Sequence, residues 1–284
     1  MEYRGICHKM HAQINPVTQI AESAALPSHV EYKFVLDQFN TDLMNLIGEN
    51  IQLEWTGRIF CVSCGNKTPK SYSQGHCFKC FKTKAECDMC ILKPETCHYH
   101  LGTCREEAFA QKVCFQPHTV YLANSSALKV GITRQVNMPT RWLDQGAIQA
   151  LPILRVGSRR LSGQVEILLA EMIADKTDWR KLLKGEPEPL DMVEEKNNIL
   201  DQFHTELATL SMEYPDEELT FLEDNPLEFI YPVTQYPTKI SSHNLDKTSV
   251  IQGKLQGIKG QYLIMDTGVI NIRKYSGYEL ILRV

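Results

Sequence analysis

Nine of the ten cysteines in this 284-residue chain fall between residues 59 and 117. That stretch has little hydrophobic periodicity, so no amphipathic helix or strand can gather a core there. A segment built this way uses metal ions in place of a core. Two pairs, Cys61-Val-Ser-Cys64 and Cys77-Phe-Lys-Cys80, are separated by twelve residues. Each pair can bite one ion from a tight turn, and the interval lets a hairpin carry the second pair round to the first. Four thiolates at about 2.3 Å make a closed tetrahedral zinc site with no open position for chemistry, so the ion reads as structural.

A second group follows at once: Cys87, Cys90, Cys97, His98, His100, Cys104, Cys114 and His118. Cys87, Cys90, Cys97 and Cys104 are the preferred ligands, giving one or two Zn2+ ions in all. Either His98 or His100 could replace a cysteine, and Cys114 with His118 could contribute instead. Cys7 stands alone and reads as a packed residue. No apolar run approaches the roughly 20 residues of a spanning helix, and Met1 to Gln13 lacks the pattern of a signal peptide. The expectation is a cytoplasmic protein with no membrane partner, in a reducing compartment where paired cysteines hold metal.

Charge is divided along the chain. Residues 59–160 carry 14 basic and 6 acidic side chains, whereas residues 186–230 carry 1 basic and 14 acidic. Such a split points to a basic working face and an acidic segment kept apart from it.

The fold class expected is α+β and multidomain, with β-rich ends flanking the zinc-ribbon region and a small α/β core. Residues 1–58 read as strands at 3–13 and 29–36, with strand, turn, strand over 51–59 around Thr56-Gly57. Residues 59–117 are the ribbon region. Residues 118–185 hold strands at 119–123 and 128–133 around an Asn124-Ser125-Ser126 turn. A short helix capped by Thr140 and ending near Gly146 comes next, then a strand over 153–156. A helix over 163–175 follows, capped by Ser162, with Val165, Leu168, Leu169, Met172 and Ile173 on one stripe. Arg155, Arg159 and Arg160 read as an exposed basic run, and Asp175 and Trp179 as a helix junction. Residues 186–226 give an amphipathic helix over 189–210, with Leu190, Val193, Leu200, Phe203 and Leu207 on one side, and an acidic linker. Residues 227–284 return to strands. Thr267-Gly268 echoes Thr56-Gly57, which leaves open that the two ends form one β-domain.

The segment TVYLANSSALKVGITRQVNMPTRW, residues 119–142, resembles the opening of a GIY-YIG nuclease domain. In that family two short strands carry the two tripeptides, an Arg follows on the next helix, and a Glu on a later helix holds one divalent metal. A tyrosine helps to activate water, the Arg stabilises the phosphate, and the metal neutralises the leaving group. Phosphodiester hydrolysis develops charge on oxygens that a cation and an Arg can hold. The resemblance assigns Tyr121 to the tyrosine of the first tripeptide, with Thr119 where the family has Gly. Val130 and Gly131 end the second tripeptide, with Lys129 in place of its tyrosine. Arg141 matches the helix Arg, and Glu166 the metal-binding Glu, for Mg2+ or Mn2+. Tyr121 and Lys129 would then lie near the attacking water, while Lys129, Arg134 and Arg141 suit phosphate contact.

A longer run of motifs is CxxC, KSYSQGHCFKCF, CHYHLGTCRE, VYLANSSALKVGITR, PTRWLDQGA, DKTDW and GIKGQYLIMDTGVINIRKYSGY, in that order. It resembles an uncharacterised bacterial family known as a domain of unknown function, which implies a bacterial cytosolic protein and supplies no reaction. The expected function is a zinc-containing nucleic-acid-binding protein with a nuclease-like core that cleaves phosphodiesters if active. The sequence does not choose between DNA and RNA. The alternative is a catalytically inactive protein-interaction module whose acidic 186–230 segment engages a basic partner.

Overall fold

Between residues 28 and 36 every second side chain from Val30 to Leu36 is apolar, and Val30, Tyr32, Phe34 and Leu36 are all buried. That is the mark of a strand with one dry face. The same logic, repeated along the chain, yields fourteen strands among the described residues. The computed structural model describes residues 1–15, 27–173 and 178–284. Its strands are β1 (Glu2–Ile6), β2 (His11–Ile14), β3 (Ser28–Leu36), β4 (Phe39–Asp42) and β5 (Asn50–Ile59). β6 (His118–Asn124), β7 (Leu128–Arg134) and β8 (Gln149–Val156) form the centre. β9 (Leu219–Phe221), β10 (Leu227–Ile230), β11 (Val250–Lys259), β12 (Tyr262–Met265), β13 (Gly268–Asn271) and β14 (Tyr278–Arg283) complete the series. Its main helices are α1 (Phe78–Thr83), α2 (Thr140–Asp144), α3 (Arg159–Ala170), α4 (Trp179–Lys184), α5 (Met192–Gln202) and α6 (His204–Glu213).

Two sheets organise this mixed α+β chain. The first has the order β1-β14-β5-β11-β12-β13 and is antiparallel throughout. The two ends of the chain therefore share one sheet. The second has the order β2-β3-β10-β8-β6-β7, with β4 added to β3 and β9 to β8, and only β3 and β10 run parallel. The bridge between Cys7 and Leu36 joins the sheets, and one core cluster takes residues from both. Cys7 is fully buried, and burial pushes its thiol up, as a packed residue requires.

The structure changes several boundaries. Residues 50–59 are one strand, not strand–turn–strand: Gly57 has φ +81 inside a bulge, where Trp55 and Ile59 oppose Leu280 and Tyr278. The bulge turns Thr56 and Arg58 toward one carboxylate, and Arg58 Nη2 and Thr56 Oγ1 each donate to Glu279 at 2.6 Å. Helix α3 begins four residues earlier than the periodicity predicts, because Ser158 rather than Ser162 caps it, its Oγ accepting from the Leu161 N–H at 3.2 Å. Ser162 lies within the helix and donates back to the Arg159 carbonyl. The helix over 189–210 divides at Phe203 into α5 and α6, and its buried stripe is Met192, Lys196, Ile199, Phe203 and Leu207. Leu190 and Val193 face outward. The acidic stretch after α6 carries β9 on the edge of β8, and Lys196 Nζ donates to the Leu222 carbonyl at 2.6 Å. Asp175 lies outside the described residues, and Trp179 stacks on Tyr262 with ring centroids 6.1 Å apart.

Among the described residues no helix is long and apolar enough to cross a membrane. One buried charge does stand out. Lys259 is 1% exposed, with its ammonium 5.5 and 5.6 Å from the ring centroids of Tyr231 and Tyr236. Burial lowers it to about 8. The unfolded chain therefore binds more protons between that value and about 10.4, so stability rises with pH across this window and the full penalty applies below it. Lys259→Met is expected to raise stability at pH 7 by about 2 kcal/mol, the burial cost less what the two rings return. Urea unfolding at pH 7 and pH 10 checks this, since the variant should also lose the rise with pH.

Candidate metal centre and core site

The first metal site grows out of the end of β5. Phe60 bridges to Lys67, the Cys61 N–H donates to the Asn66 carbonyl at 2.9 Å, and the Gly65 N–H donates to the Cys61 carbonyl at 2.8 Å. Gly65 has φ +70, which closes this knuckle tightly. The second pair starts a helix: Cys77 caps α1, its sulfur accepting from the Cys80 N–H at 3.5 Å. The Cys77 N–H donates to Cys61 Sγ at 3.2 Å, tying the two knuckles together.

The sulfur atoms of Cys61, Cys64, Cys77 and Cys80 lie within 4.8 Å of one another. Burial opposes ionisation of Cys61, but backbone N–H groups of Cys77, Cys64 and Ser63 overcome it and bring the thiol to about 6. Cys80 is desolvated and faces the other three sulfurs, which push it up to about 12. Four thiols this close ionise together only around a cation. The set is geometrically suited to zinc. Around it lies an exposed surface of rings and ammonium groups. Tyr72 packs on Phe78 and Phe81, Lys82 lies over Phe78, and Lys70 lies over Tyr72. Phe78 is 51% exposed and Tyr72 39%.

Among the described residues one other group of donor atoms falls within 4.8 Å: Asp88, Cys90 and His98. These three line a cavity of about 20 Å³ together with Cys97, Cys104 and Cys114. No three cysteines of this group lie within that distance of one another; of the set preferred from spacing, Cys90, Cys97 and Cys104 line the cavity and Cys87 does not. Burial and the neighbouring Glu86 push the Cys87 thiol up, and Arg105 pulls it back. Cys90 senses Asp88, Cys97, Cys114 and Cys104.

The core site rests on β6 and β7, whose register sets Tyr121 opposite Gly131 and His118 opposite Arg134. Tyr121 is fully buried, its hydroxyl donating to Gln145 Oε1 at 3.0 Å and its ring edge-on to Trp142 at 5.8 Å. Burial pushes this hydroxyl up, Arg141 beside it pulls it back, and Glu166 adds to the rise. Tyr121, Arg141 and Glu166 are therefore within electrostatic reach of one another, although they come from β6, α2 and α3. Lys129 is two residues from Gly131 and so shares Tyr121's side of the sheet, where it is 8% exposed. Arg134 lies on the opposite side. It neighbours His118, which burial, with help from Arg159 and Arg134, lowers to about 4.

Two members of this group carry roles that spacing does not reveal. Arg159, read as part of an exposed run, is half-buried and donates from Nη2 to the Ile91 carbonyl at 2.6 Å. It senses Cys114, Cys90, Glu166 and Arg141, and so stands between the cysteine region and the core. His118 donates from Nδ1 to the Gln116 carbonyl at 2.7 Å, and its buried Nε2 has no hydrogen-bond partner. Spacing singled out His118 only as an alternative zinc ligand with Cys114.

Gly131 has a strict steric reason. A Cβ there would come within 2.7 Å of the Tyr121 ring and hydroxyl, and Trp142 and Gln145 block that ring's retreat. Gly131→Ala is expected to cost about 2–3 kcal/mol as overpacking, read by thermal unfolding. Gly131→Ala with Tyr121→Phe should recover little, since the ring remains.

Fold and site together describe a mixed α+β protein with a four-cysteine knuckle suited to zinc at the root of one sheet. A family model described as "Protein of unknown function (DUF2797)" matches residues 48–280, and the chain belongs to that family. Searches of curated proteins and of solved structures returned no match.

Proposed function

We propose that this is a zinc-containing nucleic-acid-binding protein with a nuclease-like core, in which Arg141 holds a phosphate and Glu166 serves a divalent ion. The observation that carries the reading is the buried Tyr121 hydroxyl with Arg141 from α2 beside it and Glu166 from α3 within electrostatic reach. The connectivity supports it too: two adjacent strands, a short helix with Arg141, a third strand on the other side of β6, then the helix with Glu166. The exposed Phe78 and Tyr72, with Lys70 and Lys82 over them, offer rings for base stacking beside cations for the backbone.

Glu166 lies in this charge group with Arg141 and Arg159. A single carboxylate fits magnesium or manganese, ions that take most of their remaining ligands from water and substrate phosphate. Bound there, the ion would neutralise charge on phosphate oxygens. Arg141 supplies a planar fork for the same oxygens. Tyr121 has no exposure and is engaged with Gln145, so its part is to hold Gln145 and Arg141 in place. Lys129 adds positive charge on the same side of the sheet.

The test is binding and cleavage of labelled single-stranded, duplex and branched DNA and RNA, with magnesium or manganese, beside Glu166→Ala. Metal-dependent cutting that the variant loses supports a nuclease. Binding that the variant keeps, without cutting, supports recognition by a nuclease-like fold. Neither binding nor cutting would overturn the nucleic-acid reading in favour of a protein-interaction module.

A further inference from the structure

We infer that the chain holds a second structural metal ion, a zinc bound by the thiolates of Cys90, Cys97, Cys104 and Cys114. These four side chains reach one cavity from separate turns of a segment with almost no regular structure. The cavity measures about 20 Å³, the room of one ion or one water. Besides the four cysteines its lining holds the polar groups Asp88, His98, Tyr99 and Arg105 and otherwise apolar side chains. The four sulfurs line this cavity without lying within 4.8 Å of one another, so a thiophilic ion would draw them together on binding.

Asp88 and His98 complete the surroundings without serving as ligands. Asp88 Oδ2 is 2.7 Å from Arg105 Nε, and His98 Nδ1 is 2.7 Å from Thr103 Oγ1. The remaining ring nitrogen of His98 lies 3.5 Å from Asp88. A carboxylate already held by Arg105, with a histidine against it, forms the outer support common around metal ligands. Cys87 is excluded because it is not among the residues that line the cavity.

The ion would do more than replace a core. The turns that carry Cys90 and Cys97 are the ones on which α3 rests. Arg159 donates to the Ile91 carbonyl, and Gly163 sits so close to Pro94 and Glu95 that a Cβ would meet the Glu95 nitrogen at 2.6 Å. Helix α3 also carries Glu166, so the second metal sets the floor under the core site.

The experiment is metal and acid-labile sulfide analysis of the full chain, purified anaerobically without chelator, with native-state alkylation mapped cysteine by cysteine. The expected result is two zinc ions per chain, falling to one in Cys104→Ser and in Cys114→Ser and staying at two in Cys87→Ser. Should a serine variant not fold, the wild-type alkylation pattern decides: Cys90, Cys97, Cys104 and Cys114 protected, and Cys87 modified. Hydrogen exchange in α3 should quicken when the second ion is lost. One zinc per chain, or loss of the second ion in Cys87→Ser but not in Cys114→Ser, would overturn the inference. Iron with acid-labile sulfide would overturn the single-ion assignment.

Discussion

Replacing Cys77 with serine is expected to release the ion of the first site and lower the melting temperature by about 10 °C. Structural zinc contributes its binding free energy directly to folding, and isolated zinc fingers gain about 10–16 kcal/mol from it. Here the knuckle is also a joint. The Phe60 N–H donates to the Gly277 carbonyl at 2.7 Å, and the Val62 N–H donates to the Gly75 carbonyl at 3.0 Å. Gly75 lies against the Ser276 backbone, where a Cβ would approach the carbonyl oxygen to 2.8 Å. Loss of the ion therefore loosens the ends of β5 and β14 as well as the knuckle. A partial cost of about 3–5 kcal/mol, at about 2–4 °C per kcal/mol, gives the shift stated. Thermal unfolding with zinc quantified by a chromophoric chelator reads both effects, and Cys7→Ser, which is not one of the four gathered sulfurs, should keep its zinc. A Cys77→Ser chain that retains the ion and melts normally would contradict the assignment.

Arg141→Ala is expected to weaken nucleic-acid binding about tenfold and, where cleavage occurs, to lower its rate by about 10²–10³-fold. A hydrogen bond to a charged group contributes about 1.5–3 kcal/mol. A donor aimed at charge that develops in the transition state is worth more in rate than in binding. Arg141→Lys should restore little, because an ammonium is a point charge and cannot present the guanidinium fork. Because Arg141 also stands beside Tyr121, the variant needs a fold control. Its melting temperature should fall by only a few degrees, since the side chain is not in the apolar core. Titration of labelled strands and single-turnover cleavage read the two effects separately.

The parts legible in the sequence were those dictated by local spacing. The two CxxC pairs specify their knuckles because each turn spans only a few residues. The strands of β6 and β7 were legible because apolar residues bracket an Asn-Ser-Ser turn, and the resemblance to the GIY-YIG opening rested on that same short stretch. The second cysteine group was not legible, because seven- and ten-residue intervals without periodic structure let Cys87 and Cys114 compete for one place. The start of α3 was misplaced because two serines, Ser158 and Ser162, stand one helical turn apart and both can cap. Thr56-Gly57 reads as a turn since a bulge and a turn both use a glycine at positive φ. The pairing of β1 and β5 with β11–β14 spans nearly the whole chain, and no local pattern carries such a register. The acidic segment hid β9 and the buried Lys196, because charge composition masks the few apolar residues that do the packing.

The central claim is that the basic part of the chain recognises nucleic acid. The most direct measurement is the salt dependence of binding to short labelled single-stranded and duplex probes, across about 50 to 300 mM monovalent salt. The expected result is a linear fall of log K with log salt that corresponds to several phosphate contacts, with a slope reduced by about one in Arg141→Ala. No measurable binding at the lowest salt, or binding with a flat salt dependence that Arg141→Ala leaves unchanged, would contradict the account.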